Sequence, residues 1–260
     1  MINKLFFLLA LTLVFIGCRT QRIEVYFDVP FELQDTASYN KFFDRFENHI
    51  SNYTYFIDAG HGGEDRRSVG PRKLAVEADV NLSVALYLKN FLEEAGAKVY
   101  MTRTADSTVS LSERSRLANQ SSADFFISIH HNAPGRANDN WTNYTSTFYH
   151  AQETDYEYEP MERDLARYIQ RDLAYAMRNS GGTGSFDGTY SDYIIFPKRG
   201  FAVLRETNIP AVLVEGGFWT HHIEELRLID TTFNKIQAWG IFRGIARYVS
   251  NSIPRIEHRS

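Results

Sequence analysis

Two histidines and two glutamates occupy positions where the sequence pattern predicts the end of a strand or the start of a helix. His61, His130 and Glu215 each follow a short apolar stretch, and Glu77 opens a stretch of helical periodicity. Two imidazoles and one carboxylate suit a catalytic zinc ion, because they leave a fourth position for water. A carboxylate that is not a ligand can take a proton from that water and pass it to a leaving nitrogen. His61, Glu77 and His130 are the candidate ligands, and Glu215 is the candidate acid/base.

These four residues also have ordinary structural explanations. They are scattered along the chain, and no compact metal motif such as H-E-x-x-H is present. A lone histidine in a glycine-rich stretch, such as His61 in Ala59-Gly-His-Gly-Gly63, is often a loop or core residue. A common function therefore depends on whether the fold brings the four side chains together.

The predicted elements supply such a fold. Short apolar runs predict buried strands at 55–58, 97–101, 123–129 and 211–214. Helical periodicity is present at 77–95, 160–177 and 224–247. This alternation predicts an α/β fold, with a mostly parallel twisted sheet of about six strands and helices on both faces. Ligands bind beyond the carboxyl ends of strands in such sheets, so the four candidate residues are expected at one edge.

Other predicted elements surround this frame: helices at 38–50 and 110–121, and strands at 145–149 and 201–204. Arg103 and Arg114 are expected to hold loops in place rather than to contact a substrate. The tyrosine-rich segment 185–200 follows several glycines and is a candidate lid over the site.

The length and net charge of the chain limit the functions that it can have. The chain has 260 residues, 43% of them hydrophobic, which is enough for one well-buried α/β core or two small domains. Its net charge of −4 gives no reason to expect nucleic-acid binding, because nucleic-acid-binding domains are usually basic. Cys18 is the only cysteine, so an intrachain disulfide is excluded.

The first eighteen residues resemble a bacterial lipoprotein signal. Lys4 precedes an apolar run from 5 to 16 that is too short to span a bilayer comfortably, and Gly17-Cys18 follows it. Phe15 departs from the signal, in which an aliphatic residue is more usual there. The resemblance implies a lipid anchor on Cys18 and a periplasm-facing protein on the inner or outer membrane. An ordinary secretory signal with an incidental cysteine is the alternative, and it also implies export.

Seven stretches of the chain carry a second resemblance. They are Ile57-Asp-Ala-Gly-His-Gly-Gly63, Glu77 with Asn81-Leu82, Met101-Thr-Arg-Thr with Asp106, Leu111-Ser-Glu-Arg114, Ala123-Asp-Phe-Phe-Ile-Ser-Ile-His-His-Asn-Ala133, Val203-Leu-Arg205, and Ile209-Pro-Ala-Val-Leu-Val-Glu215 with Gly217-Phe218. In this order they resemble the zinc-dependent N-acetylmuramoyl-L-alanine amidases, a family of bacterial cell-wall hydrolases. The resemblance extends over residues 55–248.

The resemblance implies a site and a reaction. One zinc ion per chain is expected on His61, Glu77 and His130, with Glu215 as the catalytic acid/base. The implied substrate is peptidoglycan, and the implied reaction is hydrolysis of the amide bond between N-acetylmuramic acid and the first L-alanine of the stem peptide. Two alternatives stay open: a non-catalytic peptidoglycan-binding lipoprotein, and a zinc peptidase that acts within the stem peptide. An activating partner protein is compatible with each of them.

Adjacent histidines require a choice of ligand. The family's ligand directly follows a Ser-Ile pair, which selects His130 rather than His131. Successive strand residues point to opposite sides, so one metal ion is not expected to take both. His131, Asn132 and Arg205 are candidates for supporting or substrate contacts.

The predicted organisation has four parts. They are a signal at 1–18, a tether with a peripheral helix at 19–52, the catalytic domain at 53–250 and a tail at 251–260.

Overall fold

The structure, a computed structural model, describes residues 25–136, 138–151, 160–178 and 188–251. The signal segment and Cys18 lie outside these residues. Within the described ranges, no helix has both the length and the apolar character needed to cross a membrane.

Helices and strands alternate along most of the chain. The strands are β1 (Thr54–Ala59), β2 (Lys98–Met101), β3 (Phe125–Asn132), β4 (Ser146–Tyr149), β5 (Thr189–Ser191) and β6 (Ala211–Phe218). The helices are α1 (Phe31–Gln34), α2 (Thr36–Ile50), α3 (Glu77–Glu94), α4 (Leu111–Gln120), α5 (Pro160–Met177), α6 (Ala202–Arg205), α7 (Glu224–Leu228) and α8 (Thr231–Asn251).

The strands form one six-stranded sheet in the order β2-β1-β3-β6-β4-β5. Strands β2, β1, β3 and β6 run parallel, whereas β4 runs antiparallel to β6 and parallel to β5. The prediction of a mostly parallel sheet of about six strands is therefore confirmed. In β3 and β6 the pairing places His130 opposite Glu215, close to the carboxyl ends of both strands.

Strand β3 shows how the sheet separates two cores. Ile127 and Ile129 face the larger core, which helices α2, α3, α5 and α8 cover. Phe126 faces the smaller core, beside α4 and α6. Because successive strand residues point to opposite faces, His130 is on the α4/α6 side and His131 is on the α3/α8 side.

The larger core depends on close packing of long helices. Helix α5 crosses α8 at Gly244, where an added methyl group would lie 2.4 Å from the Cα atom of Ile169. Helix α2 contributes Phe43, Phe46 and Ile50 to the same core. The predicted helix at 38–50 is thus confirmed, and it packs on α8 through buried side chains.

One predicted strand is wrong. Residues 201–204 were expected to be extended, but the segment forms the short helix α6, and Val203 and Leu204 pack into the smaller core. A short apolar run has the same composition in either conformation. Strand β6 already pairs with β3 on one side and β4 on the other, so no sheet position is open beside it for residues 201–204.

Candidate metal centre

The turn after β1 positions His61. His61 has φ 58°, and Gly62 and Gly63 have φ of 118° and 59°, so three consecutive residues have positive φ. Such a conformation is readily available to glycine and costs a histidine on the order of 1 kcal/mol. The chain therefore leaves the direction of β1 at His61, and the imidazole lies beside the ring of His130.

Two buried arginines hold this turn. Arg114 donates to the carbonyl oxygens of Ala59 (2.7 Å) and His61 (2.9 Å), and it pairs with the buried Asp58 carboxylate at 2.6 Å. Arg103 donates to the carbonyl oxygens of Ala59 (2.8 Å) and Gly60 (2.9 Å). The prediction that both arginines hold loops is confirmed. Their bonds fix the backbone that carries His61.

Asp65 orients the His61 ring. Its Oδ2 atom accepts a hydrogen bond from His61 Nδ1 at 2.7 Å, and Asp65 is four residues after His61 in the chain. The opposite ring nitrogen, Nε2, lies 3.2 Å from Glu77 Oε1. A histidine that donates a hydrogen bond from Nδ1–H to a carboxylate has its Nε2 lone pair free for a metal ion. Such carboxylates orient metal-binding imidazoles in many proteins. Asp65 was not predicted, although its position four residues after His61 is a usable signal.

Glu77 is the centre of the cluster. It begins α3, where the partial positive charge of the helix N-terminus favours a carboxylate, and it is 3% exposed. Glu77 Oε1 lies 3.3 Å from His130 Nδ1 and accepts the backbone N–H of His131 at 3.1 Å. Single donor atoms of His61, Glu77 and His130 all lie within 4.8 Å of one another. The fold therefore brings the three predicted ligands together.

Gly60 makes room for the His130 ring. A methyl group at Gly60 would lie 2.3 Å from the Cε1 and Nε2 atoms of His130, closer than any real contact. The ring can occupy this place only because position 60 has no side chain. It meets the His61 ring edge-on, with the ring centroids 4.9 Å apart.

The charges around the cluster favour a bound cation. Burial acts to lower the pKa of His61, but the Glu77 and Asp65 carboxylates outweigh it and raise the pKa to about 9. Burial acts to raise the pKa of Glu77, yet its contacts with His130 and His61 lower it strongly. The Glu77 carboxylate thus stays ionised, and the carboxylates beside His61 favour a positive charge at that ring. Two imidazoles and one carboxylate with these properties fit a divalent transition metal.

Glu215 is a buried carboxylate beside the cluster. It is 9% exposed, and its Oε2 atom has no hydrogen-bond partner within the described residues. Burial, followed by the nearby charge of Glu77, raises the pKa of Glu215 well above its usual value. An unbonded carboxylate oxygen close to a metal site can exchange protons with a reacting group.

A cleft of about 480 Å³ opens over these residues. Glu77, His130 and Glu215 line this cleft, and Phe196 and Trp219 contribute apolar surface. This volume is in the range typical of sites for small ligands and peptide groups. The cleft gives an extended substrate access to the metal cluster.

The three remaining site candidates have different surroundings. Asn132 lines the cleft, and its Oδ1 accepts the N–H of Ala133 at 2.7 Å. Arg205 also lines the cleft, but it donates to the carbonyl oxygen of Arg199 at 2.6 Å and to Glu206 Oε1 at 3.0 Å. Arg205 thus holds the chain at residue 199.

His131 is buried on the other face of the sheet. It is 2% exposed, with Nδ1 at 2.8 Å from Asn81 Oδ1 and Nε2 at 2.8 Å from Gln237 Oε1. Burial lowers its pKa to about 4, so the ring is neutral near pH 7. Gln237 Nε2 has no partner within the described residues, and a half-turn of this amide lets it donate to His131 Nε2. The ring then has one donor and one acceptor bond.

The described part of the candidate lid forms a wall of the cleft. Residues 179–187 are outside the description, and the chain then forms β5 and a 3₁₀ turn. The buried Asp192 carboxylate accepts His150 Nδ1 at 2.9 Å and the backbone N–H of Phe201 at 2.7 Å. These bonds hold the segment against β4. Movement of the segment stays a prediction.

The chain is similar to known proteins in sequence and in fold. A family model for N-acetylmuramoyl-L-alanine amidase (Amidase_3) matches residues 56–247. The germination-specific N-acetylmuramoyl-L-alanine amidase of Bacillus subtilis strain 168 is 30% identical over 216 residues, which cover 76% of this chain and 81% of the relative. The chain therefore belongs to the N-acetylmuramoyl-L-alanine amidase family.

Solved structures agree with this assignment. The crystal structure of an N-acetylmuramoyl-L-alanine amidase from Clostridium difficile 630 has a TM-score of 0.65 and 33% identity, covering 76% of this chain and 97% of that one. The CwlD amidase of Clostridioides difficile, solved in complex with the GerS lipoprotein, has a TM-score of 0.65 and 28% identity, covering 77% of this chain and 100% of that one. The predicted activity, hydrolysis of the amide bond between N-acetylmuramic acid and L-alanine in peptidoglycan, is confirmed as that of the family.

Proposed function

We propose that the chain cleaves this amide bond with a zinc ion held by His61, Glu77 and His130, and with Glu215 as general acid/base. The observation that carries the proposal is the convergence of three donor atoms within 4.8 Å of one another, beside a buried carboxylate with an unbonded oxygen. Membership of the amidase family supports zinc over other divalent metals.

The protein's own groups have separate roles in this reaction. When bound, zinc would supply Lewis-acid polarisation of the scissile carbonyl and a lowered pKa for water. Asp65 keeps the His61 proton on Nδ1, so Nε2 stays available as a ligand. Glu215 takes a proton from the attacking water and returns it to the L-alanine nitrogen as the amide breaks. Burial favours the protonated carboxyl, which suits Glu215 for the second of these transfers.

Digestion of peptidoglycan tests the reaction. The chain from residue 19 onward is loaded with zinc and incubated with purified peptidoglycan, and the released fragments are identified by mass. Free peptides that begin with L-alanine are expected, with muramic acid left on the glycan. Fragments cut within the peptide would instead indicate a zinc peptidase. A zinc-loaded protein that binds the glycan and releases nothing would indicate a binding lipoprotein.

A matched pair of glutamate variants tests the role of Glu215. Glu215→Gln is expected to lower kcat by roughly 10²–10⁴ while the protein still binds one zinc per chain. Glu224→Gln is the control, because Glu224 is also buried and also has a raised pKa but lies on α7 beside Arg227. The control should retain activity. Retained activity in Glu215→Gln would remove Glu215 from the reaction.

We further propose that the enzyme is anchored on the periplasmic side of a membrane by a lipid on Cys18. The support is the apolar run that ends at Gly17-Cys18, together with a substrate that lies outside the cytoplasm. The relative CwlD was solved in complex with a lipoprotein, GerS, whereas here the anchor would belong to the amidase chain itself. Incorporation of a radiolabelled fatty acid should occur in the intact chain and be lost in Cys18→Ala. Equal labelling of both proteins would contradict the anchor.

A further inference from the structure

Arg199 is a cation in the wall of the cleft, and its guanidinium has no partner within the described residues. It lines the same cleft as His61 and Glu215. Its side chain is exposed, and within the described residues it makes no hydrogen bond or ion pair. An arginine at the rim of a binding cleft with all its donors free is available for a ligand.

The other arginines near the metal cluster are already engaged or lie elsewhere. Arg103 and Arg114 are buried and bonded to the turn after β1, and Arg205 is bonded to the backbone and to Glu206. Arg67 is exposed but lines an adjoining cavity that does not include Glu215. Arg199 is therefore the cation best placed to meet a group bound beside the acid/base.

The backbone at Arg199 is held at several points. Its N–H donates to the carbonyl oxygen of Phe196 at 3.1 Å, and its own carbonyl oxygen accepts Arg205 Nη1 at 2.6 Å. Two residues further on, the N–H of Phe201 is bound by Asp192. The guanidinium group thus extends from a fixed point, which reduces the entropy lost when it binds a ligand.

The charges of the cleft select the kind of ligand. The Glu77 and Asp65 carboxylates can only accept hydrogen bonds, so neither offers a partner to a carboxylate of the substrate. Arg199 is the exception, and a guanidinium binds a carboxylate through two parallel hydrogen bonds. An acidic substrate would therefore be bound in the orientation that brings its carboxylate to Arg199.

We propose that Arg199 binds the free carboxylate of the stem peptide that lies nearest to the cleaved amide. In peptidoglycan peptides this is the α-carboxylate of the second residue, D-glutamate, which is linked onward through its side chain. Two extended residues span about 7 Å, so this group falls within the same cleft as the metal cluster. The inference rests on the proposed function, and it makes Arg199 a determinant of substrate preference.

The test compares two synthetic muramoyl tripeptides that differ only in whether this α-carboxyl is free or amidated. Intact enzyme should have a lower KM for the free acid. Arg199→Gln should raise the KM for the acid about tenfold, with kcat unchanged and little effect on the amide, as expected for loss of one charged hydrogen-bonded contact. Arg199→Lys should recover part of the preference because it keeps the charge. Lys198→Gln is the control, since Lys198 is the adjacent exposed cation and does not line the cleft.

Each result has a distinct meaning. A preference for the acid that Arg199→Gln abolishes and Lys198→Gln preserves would support the inference. Equal losses in the two variants would indicate a general effect of surface charge and overturn it, and so would equal losses on both substrates. If intact enzyme cleaves both tripeptides with the same KM, only the inference fails. If it cleaves neither tripeptide nor peptidoglycan, the proposed function fails with it.

Discussion

The two faces of the sheet surround adjacent histidines in different ways. On the α4/α6 face, His130 is partly exposed and directs Nδ1 toward Glu77, beside the His61 ring. On the α3/α8 face, His131 is closed in, with both ring nitrogens bonded to side-chain amides of Asn81 and Gln237. The alternation of side chains between the two faces of one strand is enough to separate a candidate ligand from a packing residue.

The difference shows which observation identifies function. Burial alone does not, because Glu77 is as buried as His131. The informative property is whether polar atoms that the fold leaves unsatisfied lie together at the metal cluster, because Glu224 Oε1 also has no partner within the described residues but lies on α7. The nitrogens of His131 are satisfied, whereas His61 and His130 direct nitrogens at the same carboxylate oxygen, an arrangement that fits one shared metal ion.

The glutamates divide in the same way. Glu225 is fully buried, and its carboxylate accepts the backbone N–H groups of Arg72 (2.9 Å) and Leu74 (2.9 Å), which holds the loop before α3. Glu215 is nearly as buried, but its Oε2 atom is unbonded. A buried polar atom without a partner costs stability, so its presence beside a metal cluster points to chemistry.

Replacing His130 or His131 with alanine should give the largest effects, and it tests directly whether the two histidines have different roles. His130→Ala removes a ligand, so zinc binding and activity should be lost while the metal-free protein stays folded. His131→Ala removes two buried hydrogen bonds and leaves a cavity, so the free energy of unfolding should fall by about 2–4 kcal/mol. Zinc content by mass spectrometry and urea unfolding measure the two effects. Zinc loss from a folded His131→Ala protein, with zinc retained by His130→Ala, would reverse the assignment.

The sequence predicts the cluster because strand ends are local features. Each apolar run is readable by itself, and parallel pairing brings the carboxyl ends of β1, β3 and β6 to one edge. Successive side chains of a strand point to opposite faces of the sheet, which separates His130 from His131. These steps need the order of the elements but no details of side-chain packing.

The supporting residues could not be predicted in this way. Gln237 is 106 positions from His131, and only the packing of α8 on the sheet brings them together. The bond between Arg205 and the backbone of Arg199 has the same origin. Arg205 lies at the end of α6, and its side chain bonds to the backbone carbonyl oxygen of Arg199, whose own guanidinium has no partner within the described residues. The extended conformation expected at 201–204 gave no basis for this contact.

Alanine substitutions at Gly60 and Gly216 test the same difference between the two faces and should have smaller effects. Neither Gly60 nor Gly216 has positive φ, so alanine strains neither backbone, and only side-chain space differs. A methyl group at Gly60 would lie 2.3 Å from the His130 ring, whereas one at Gly216 would lie 2.3 Å from Gln237 Oε1 and 2.9 Å from His131 Nε2. The same substitution therefore presses on a different histidine on each side of the sheet.

Gly60→Ala should weaken zinc binding by about 10–100-fold, the range for changes that misplace a ligand without removing it. Gly216→Ala should instead lower the free energy of unfolding by about 1–3 kcal/mol, because an overfilled site forces His131 and Gln237 apart. Competition with a chelator gives the zinc affinity, and urea unfolding of the metal-free proteins gives the stability. If both variants lose zinc affinity equally, the two faces are mechanically coupled through β3, and His131 then acts on the metal by positioning the strand that carries His130.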